Sequence, residues 1–93
     1  MIIAAGRGHV EIVRALIEAG ADIQKPDSNG WTPVNRTAVE GHLEVVQLLI
    51  EAGADIYCAN SDGVTPLDNA VRSGHLEIAL LLQEVIEGLP KLK

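Results

Sequence analysis

A chain of 93 residues, 47% hydrophobic but only 2% aromatic and without Phe, has room for one small domain, near the size at which a single core barely suffices. Its net charge of −6 argues against nucleic acid, because phosphate contacts need clustered Lys and Arg and the sole basic cluster is Lys91 with Lys93. The single cysteine, Cys58, excludes an internal disulfide and fits a reducing compartment.

The N-terminus, Met1-Ile2-Ile3-Ala4-Ala5-Gly6, lacks the charged start and long apolar stretch of a signal peptide. No apolar run approaches the roughly 18 residues of a transmembrane helix, and residues 78–82 are flanked by Glu77, Gln83 and Glu84. The expectation is a soluble intracellular chain, cytoplasmic or nuclear, with no membrane partner. Gly8-His9 then opens a pattern that returns every 33 residues, at Gly41-His42 and Gly74-His75. Gly20-Ala21-Asp22-Ile23 returns as Gly53-Ala54-Asp55-Ile56, and Thr32-Pro33 as Thr65-Pro66. Sliding residues 1–33 onto 34–66 gives 17 identities. Self-similarity at such a period marks a solenoid, in which each unit buries its apolar face by stacking on its neighbours.

Each full unit reads as turn, short helix, tight turn, longer helix and loop. Asp27-Ser28-Asn29-Gly30 and Asn60-Ser61-Asp62-Gly63 are strong turn sequences. Flanked by Ile23 and Trp31, or by Ile56 and Val64, each forms the tip of a hairpin-like finger. Thr32 is the expected N-cap of the first helix, with Pro33 at the first helical position, and Thr65-Pro66 repeats the device. Val34, Thr37, Ala38 and Gly41 make a stripe of small residues that lets a neighbouring helix approach closely. After Gly41-His42 the second helix carries Leu43, Val46, Leu49 and Ile50 on its apolar stripe, and Gly53 lies just past its end, where a left-handed cap wants glycine. The last helix continues into Glu84-Val85-Ile86-Glu87-Gly88. No linker or low-complexity tract interrupts the chain, so residues 1–93 read as one domain.

Gly-Trp-Thr-Pro-Val (30–34), Gly-His-Leu-Glu-Val-Val-Gln-Leu-Leu-Ile-Glu-Ala-Gly-Ala-Asp-Ile (41–56) and Gly-Val-Thr-Pro-Leu-Asp (63–68) resemble ankyrin repeats. The resemblance covers essentially the whole chain, as a partial first repeat (1–26), a full one (27–59) and a third (60–93). It implies an all-α repeat solenoid, an ankyrin-type stack of helix-turn-helix units joined by β-hairpin-like fingers. The usual pattern continues Thr-Pro-Leu-His-Leu-Ala-Ala, so Asn35 and Asp68 stand where the family has a histidine that ties adjacent repeats together. Arg36 and Asn69 stand where the family most often has Leu.

The resemblance also implies binding of another protein through a concave surface made by finger tips and the outward face of the first helices. If Val34, Thr37 and Ala38 point into the stack, helical spacing turns Arg36, Val39 and Glu40 away from it. The same offset selects Asn69, Arg72 and Ser73 in the third unit, and Ile3, Gly6 and Arg7 in the first. Arg36 is read as lining the groove, the alternative being an intramolecular ion pair, for instance with Glu40. Trp31, the only tryptophan, lies on a finger and joins Arg36 as the sharpest candidate contact, because Trp and Arg are enriched among binding hot spots. The alternative is that it packs on a neighbouring element. Ser28, Asn29, Ser61 and Asp62 are exposed turn residues and secondary candidates.

His9, His42 and His75 invite a metal reading, but packed helices stand on the order of 10 Å apart and zinc needs ligands within about 2.1 Å. Their place after glycine marks them as turn and capping residues. Cys58 lacks an activating neighbour in sequence, and Asn35-Arg36-Thr37 is an accidental glycosylation sequon. No phosphate loop, carboxylate pair or catalytic triad is legible, so neither enzyme activity nor a cofactor is expected. The rival expectation is self-association, as a structural or engineered scaffold or a fragment of a longer array. Apolar residues crowd both ends: Met1-Ile2-Ile3 in the first unit, and Leu80-Leu81-Leu82, Val85 and Ile86 in the last. Leu80 holds the place taken by Arg14 and Gln47 in the other units.

Overall fold

Three helix pairs follow from the caps and turns of the sequence in a computed structural model that describes residues 1–88. They are α1 (Ile2–Gly6) with α2 (Val10–Glu18), α3 (Pro33–Glu40) with α4 (Leu43–Glu51), and α5 (Pro66–Arg72) with α6 (Leu76–Glu87). Thr32 Oγ1 accepts from the Asn35 N–H at 3.3 Å, and Thr65 Oγ1 from the Asp68 N–H at 3.2 Å. These side chains satisfy amides that the first turn of a helix leaves open, and Pro33 and Pro66 follow each cap. Asp68 completes a capping box by accepting from the Thr65 N–H at 3.4 Å. Asn35, at the same place in α3, is turned to a different task.

The short helices α1, α3 and α5 pack side by side in one layer, and α2, α4 and α6 in a second. Between the layers lie Ala5, Val13, Val34, Ala38, Val45, Val46, Leu49, Ala70, Ile78 and Leu82. Val34, Thr37 and Ala38 are buried as the stripe requires. On α4, Val46 and Leu49 are buried while Leu43 and Ile50 are half-buried. Val45 is buried as well, although it lies off the expected stripe, because that side of α4 meets α2 of the preceding unit.

The fingers close through single turns. Asp27 N–H donates to the Trp31 carbonyl at 2.9 Å and Asn60 N–H to the Val64 carbonyl at 2.9 Å. Ser61 N–H then bonds the Asn29 carbonyl at 3.1 Å, joining one finger to the next, yet no described residue is in a β-strand. Lys91 and Lys93, the basic pair of the sequence, lie outside the described residues.

Two polar devices fix the distance between units. Asn69 Nδ2 donates to Asn35 Oδ1 at 2.7 Å, and Asn35 Nδ2 donates to the Cys58 carbonyl at 2.9 Å, so a chain of amides runs through the buried joint. Asn35 is fully buried there, which also closes the sequon to any modifying enzyme. The second device is the histidine after each glycine. His9, His42 and His75 occupy N-cap positions, but none uses its side chain as a cap, which corrects the capping role expected of them. Each ring with a preceding unit reaches back over that unit's glycine instead. A Cβ on Gly41 would stand 2.5 Å from the His75 ring, and one on Gly8 2.5 Å from His42. His75 Nε2 also bonds the Val39 carbonyl at 3.1 Å.

Asn35→Ala is expected to destabilise the chain by about 2–3 kcal/mol in urea unfolding, since the Asn69 amide and the Cys58 carbonyl both lose a buried partner. The double variant with Asn69→Ala should lose clearly less than the sum of the singles, and strict additivity would contradict the amide chain. Gly41→Ala and Gly53→Ala both place a side chain at positive φ, 86° and 92°, but only Gly41 faces an imidazole. Gly41→Ala should therefore be the more destabilising by at least about 1 kcal/mol on thermal unfolding.

Candidate functional site

Asp27 begins the finger of the second unit, and its side chain organises everything around it. Asp27 Oδ1 accepts from the Asn29 N–H at 2.8 Å and the Trp31 N–H at 3.0 Å, the local bonding that makes Asp a turn former. The carboxylate's other oxygen lies 3.5 Å from Arg36 Nη2. The Arg36 guanidinium in turn stands 4.5 Å from the centroid of the Trp31 ring, a cation–π distance. Arg36 reaches this position because its stem crosses Gly6 of the first unit, where an added Cβ would stand 2.7 Å from Arg36 Cγ.

Carboxylate, guanidinium and indole thus form one half-exposed cluster, with Asp27 and Arg36 side chains 27% and 34% exposed. The intramolecular ion partner of Arg36 is Asp27, not the Glu40 suggested by helical spacing. Five N–H donors on a guanidinium leave most of its hydrogen-bonding capacity free after one such contact.

The next finger shows that the fold does not need these charges. One period along, Asn60 Oδ1 accepts from the Asp62 N–H at 2.9 Å and the Val64 N–H at 3.1 Å, reproducing the turn with a neutral amide. Val64 replaces Trp31, and Asn69 replaces Arg36. The charged, aromatic version is particular to the second unit.

Asp27, Arg36, Glu40 and Arg7 line a cleft of about 550 Å³ together with Ile2, Ile3 and Gly6. A second cleft of about 510 Å³, shared at Ile2, Ile3 and Asp27, extends along Ala21, Asp22, Lys25 and Pro26. The surface therefore has an apolar floor from α1 and a rim of both charges. Arg7, Arg36 and Glu40 come together here, with Trp31 held beside them. Ser28 and Asn29 are exposed on the adjoining finger tip, and Ser61 and Asp62 on the next, linked through the bond from Ser61 to Asn29.

Arg72 and Ser73 are exposed at the end of α5, outside the two clefts. Asn69 is corrected: it was expected on the open face, but it is buried against Asn35. Its side chain is too short to leave the joint as Arg36 does. Asp27 and Ile2 were missed as site residues. Comparing Asp27 with Asn60 across the period was the available signal, since a turn former needs no charge at that position.

A family model described as Ankyrin repeats (3 copies) matches residues 1–88. Among curated proteins, the chain is similar to protein phosphatase 1 regulatory subunit 12A of Mus musculus and of Rattus norvegicus. Each is 44% identical over 36 residues, covering 39% of this chain and 4% of the relative. The match thus spans a small part of the curated relatives' length.

The Asp27 carboxyl is held below the ordinary aspartate value of 3.8, chiefly by the Trp31 N–H. Desolvation works against this, while the Asn29 N–H and the Arg36 guanidinium add to it. The folded finger favours the ionised carboxylate, so its contribution is complete above pH 3.8 and is lost as pH falls through the lower folded value. Fluorescence of the single Trp31 should report an acid transition whose midpoint lies below 3.8. Asp27→Asn, which preserves the turn acceptor as Asn60 does, should remove that transition; an identical acid profile would refute the assignment.

Proposed function

Since this chain belongs to the ankyrin repeat family, whose members are generally non-enzymatic protein-interaction modules, we propose that it binds a partner protein through the cleft floored by Ile2 and Ile3 and rimmed by Arg36, Arg7 and Glu40, with Trp31 and the finger tips beside it. The observation that carries the reading is the Asp27–Arg36–Trp31 cluster, which occupies positions where the neighbouring unit keeps the same turn with Asn60, Asn69 and Val64. A feature the scaffold does without is best explained by what it meets. Asp27 and the Trp31 ring hold the guanidinium in one place before any partner arrives, which reduces the side-chain entropy lost on binding.

The partner segment that fits presents an apolar side chain to Ile2 and Ile3 and a carboxylate to Arg36 and Arg7. Glu40, Asp27 and Asp22 on the rim favour a basic group a few residues away. Ser28, Asn29, Ser61 and Asp62 would add finger-tip contacts, and Arg72 and Ser73 an extension along the short-helix face. The curated relatives are named as regulatory subunits of a phosphatase, a role consistent with a protein partner, but their short likeness carries the repeat and not the partner's identity. The reading places the chain inside the cell, in cytoplasm or nucleus, where Cys58 stays reduced.

Displayed peptide libraries selected on the wild-type chain should yield ligands pairing an acidic with an apolar residue. Arg36→Glu combined with Trp31→Ala should weaken those ligands at least about 30-fold by calorimetry, a loss of hot-spot size. The helical circular dichroism should be unchanged. Equal affinity for the double variant would overturn the site.

A further inference from the structure

Asn29 precedes Gly30 at the tip of the second unit's finger, and the pair is open to a reaction that the other asparagines are denied. Glycine has no Cβ to hinder its nitrogen from approaching the preceding side-chain amide carbon. Asn29 is exposed, and its hydrogen bonds are made by its main chain. The N–H donates to Asp27 Oδ1 at 2.8 Å, and the carbonyl accepts from the Ser61 N–H at 3.1 Å and from the Ser61 hydroxyl. Asn35, Asn60 and Asn69 are 0%, 7% and 7% exposed, and each side chain is engaged in a hydrogen bond. Arg36, Ser61 and Ala70 follow them, and the Cβ of each obstructs the same approach. Asp62-Gly63 holds the equivalent place in the next finger, but an ionised carboxylate is a poor target for a nitrogen nucleophile.

We propose that Asn29-Gly30 is a site of spontaneous main-chain rearrangement that unties one finger from the next. The Gly30 nitrogen gives its proton to hydroxide and attacks Asn29 Cγ, forming a cyclic imide. The side-chain nitrogen takes a proton from water and leaves as ammonia. Water then opens the ring at one of its two carbonyls. Opening at Cγ leaves aspartate at position 29. Opening at the former main-chain carbonyl leaves isoaspartate, with the chain running through Cβ and Cγ. The Gly30 N–H donates to the Asp27 carbonyl at 3.0 Å, so the attack waits for the exposed turn to open.

The two products differ in what the fold can use. Aspartate at position 29 repeats Asp62, whose finger closes by the same turn. In isoaspartate the main chain gains a carbon, and the oxygen that accepted both Ser61 bonds belongs to a free carboxylate outside the chain path. The longer loop also carries the Gly30 and Trp31 N–H groups away from their Asp27 acceptors. A change confined to one finger tip thus loosens the contact between units and leaves the apolar core untouched.

The full chain is aged at mildly alkaline pH, labelled with an isoaspartyl methyltransferase and mapped by peptide mass. Label should collect in the peptide holding Asn29 and Gly30, with release of ammonia, and should be lost from that peptide in Asn29→Ser. That variant removes the electrophile at an exposed turn position, and its helical circular dichroism should match the wild type. The Ser61 N–H should exchange at least about tenfold faster in the isoaspartyl form and at the wild-type rate in Asn29→Asp. Label concentrated at Asn35, Asn60, Asn69 or Asp62, or absent after ageing, would overturn the site. Unchanged Ser61 exchange in the isoaspartyl form would overturn the untying of the fingers.

Discussion

The imidazole of His75 lies over Gly41 so closely that even a methyl group at that glycine would stand 2.5 Å from the ring. His42 stands over Gly8 in the same way. With positive φ at both glycines, these contacts set how near one helix pair comes to the next. The packing between units depends on that distance. The apolar residues of a single pair are too few to bury one another, and Val45 and Ile78 disappear from solvent only because a preceding unit is near enough to cover them. The buried amides of Asn35 and Asn69 likewise meet at 2.7 Å only across this joint. A wider spacing would leave the Asn69 amide and Asn35 Oδ1 without each other, and a buried amide without a partner is more damaging than a missing contact between methyl groups.

Stability and recognition are placed on different parts of the same unit. Apart from the Asn35–Asn69 amides, the joint uses positions that repeat with little change: glycine, histidine, small residues on the short helices and aliphatics on the long ones. The cleft uses positions where the period is broken. Asp27, Trp31 and Arg36 stand against Asn60, Val64 and Asn69, and the turn bonds are preserved in both fingers. A solenoid permits this separation because each unit touches only its neighbours, so a change in one finger reaches the adjoining joints and no further.

Most of the architecture was legible in the residues themselves. Thr-Pro pairs announce helix starts through cap and ring chemistry, Asp-Ser-Asn-Gly and Asn-Ser-Asp-Gly announce turns, and the period announces stacking. What escaped was decided by the neighbour and not by the helix. Arg36 and Asn69 occupy equivalent positions, yet one side chain runs over Gly6 to the cleft and the other stays in the joint, because their lengths differ and Asn35 offers Asn69 a partner. Val45 was overlooked since a helical stripe describes one buried side, whereas a middle unit has two. The histidines follow the same rule: an N-cap position invites a capping role, but the glycine of the preceding unit offers the ring a better surface.

The amide pair has one more consequence, which concerns the order of the units. Asn35 needs an asparagine one unit later, at position 69, and position 36 of its own unit holds Arg36 instead. If the second unit were copied and inserted after itself, the backbone period would be unbroken, but a long guanidinium would meet the Asn35 carbonyl in a space shaped for a short amide. The three units are therefore not interchangeable bricks. Their sequence along the chain is written in donor and acceptor side chains, and a shuffled array of identical length and composition would be a less stable protein.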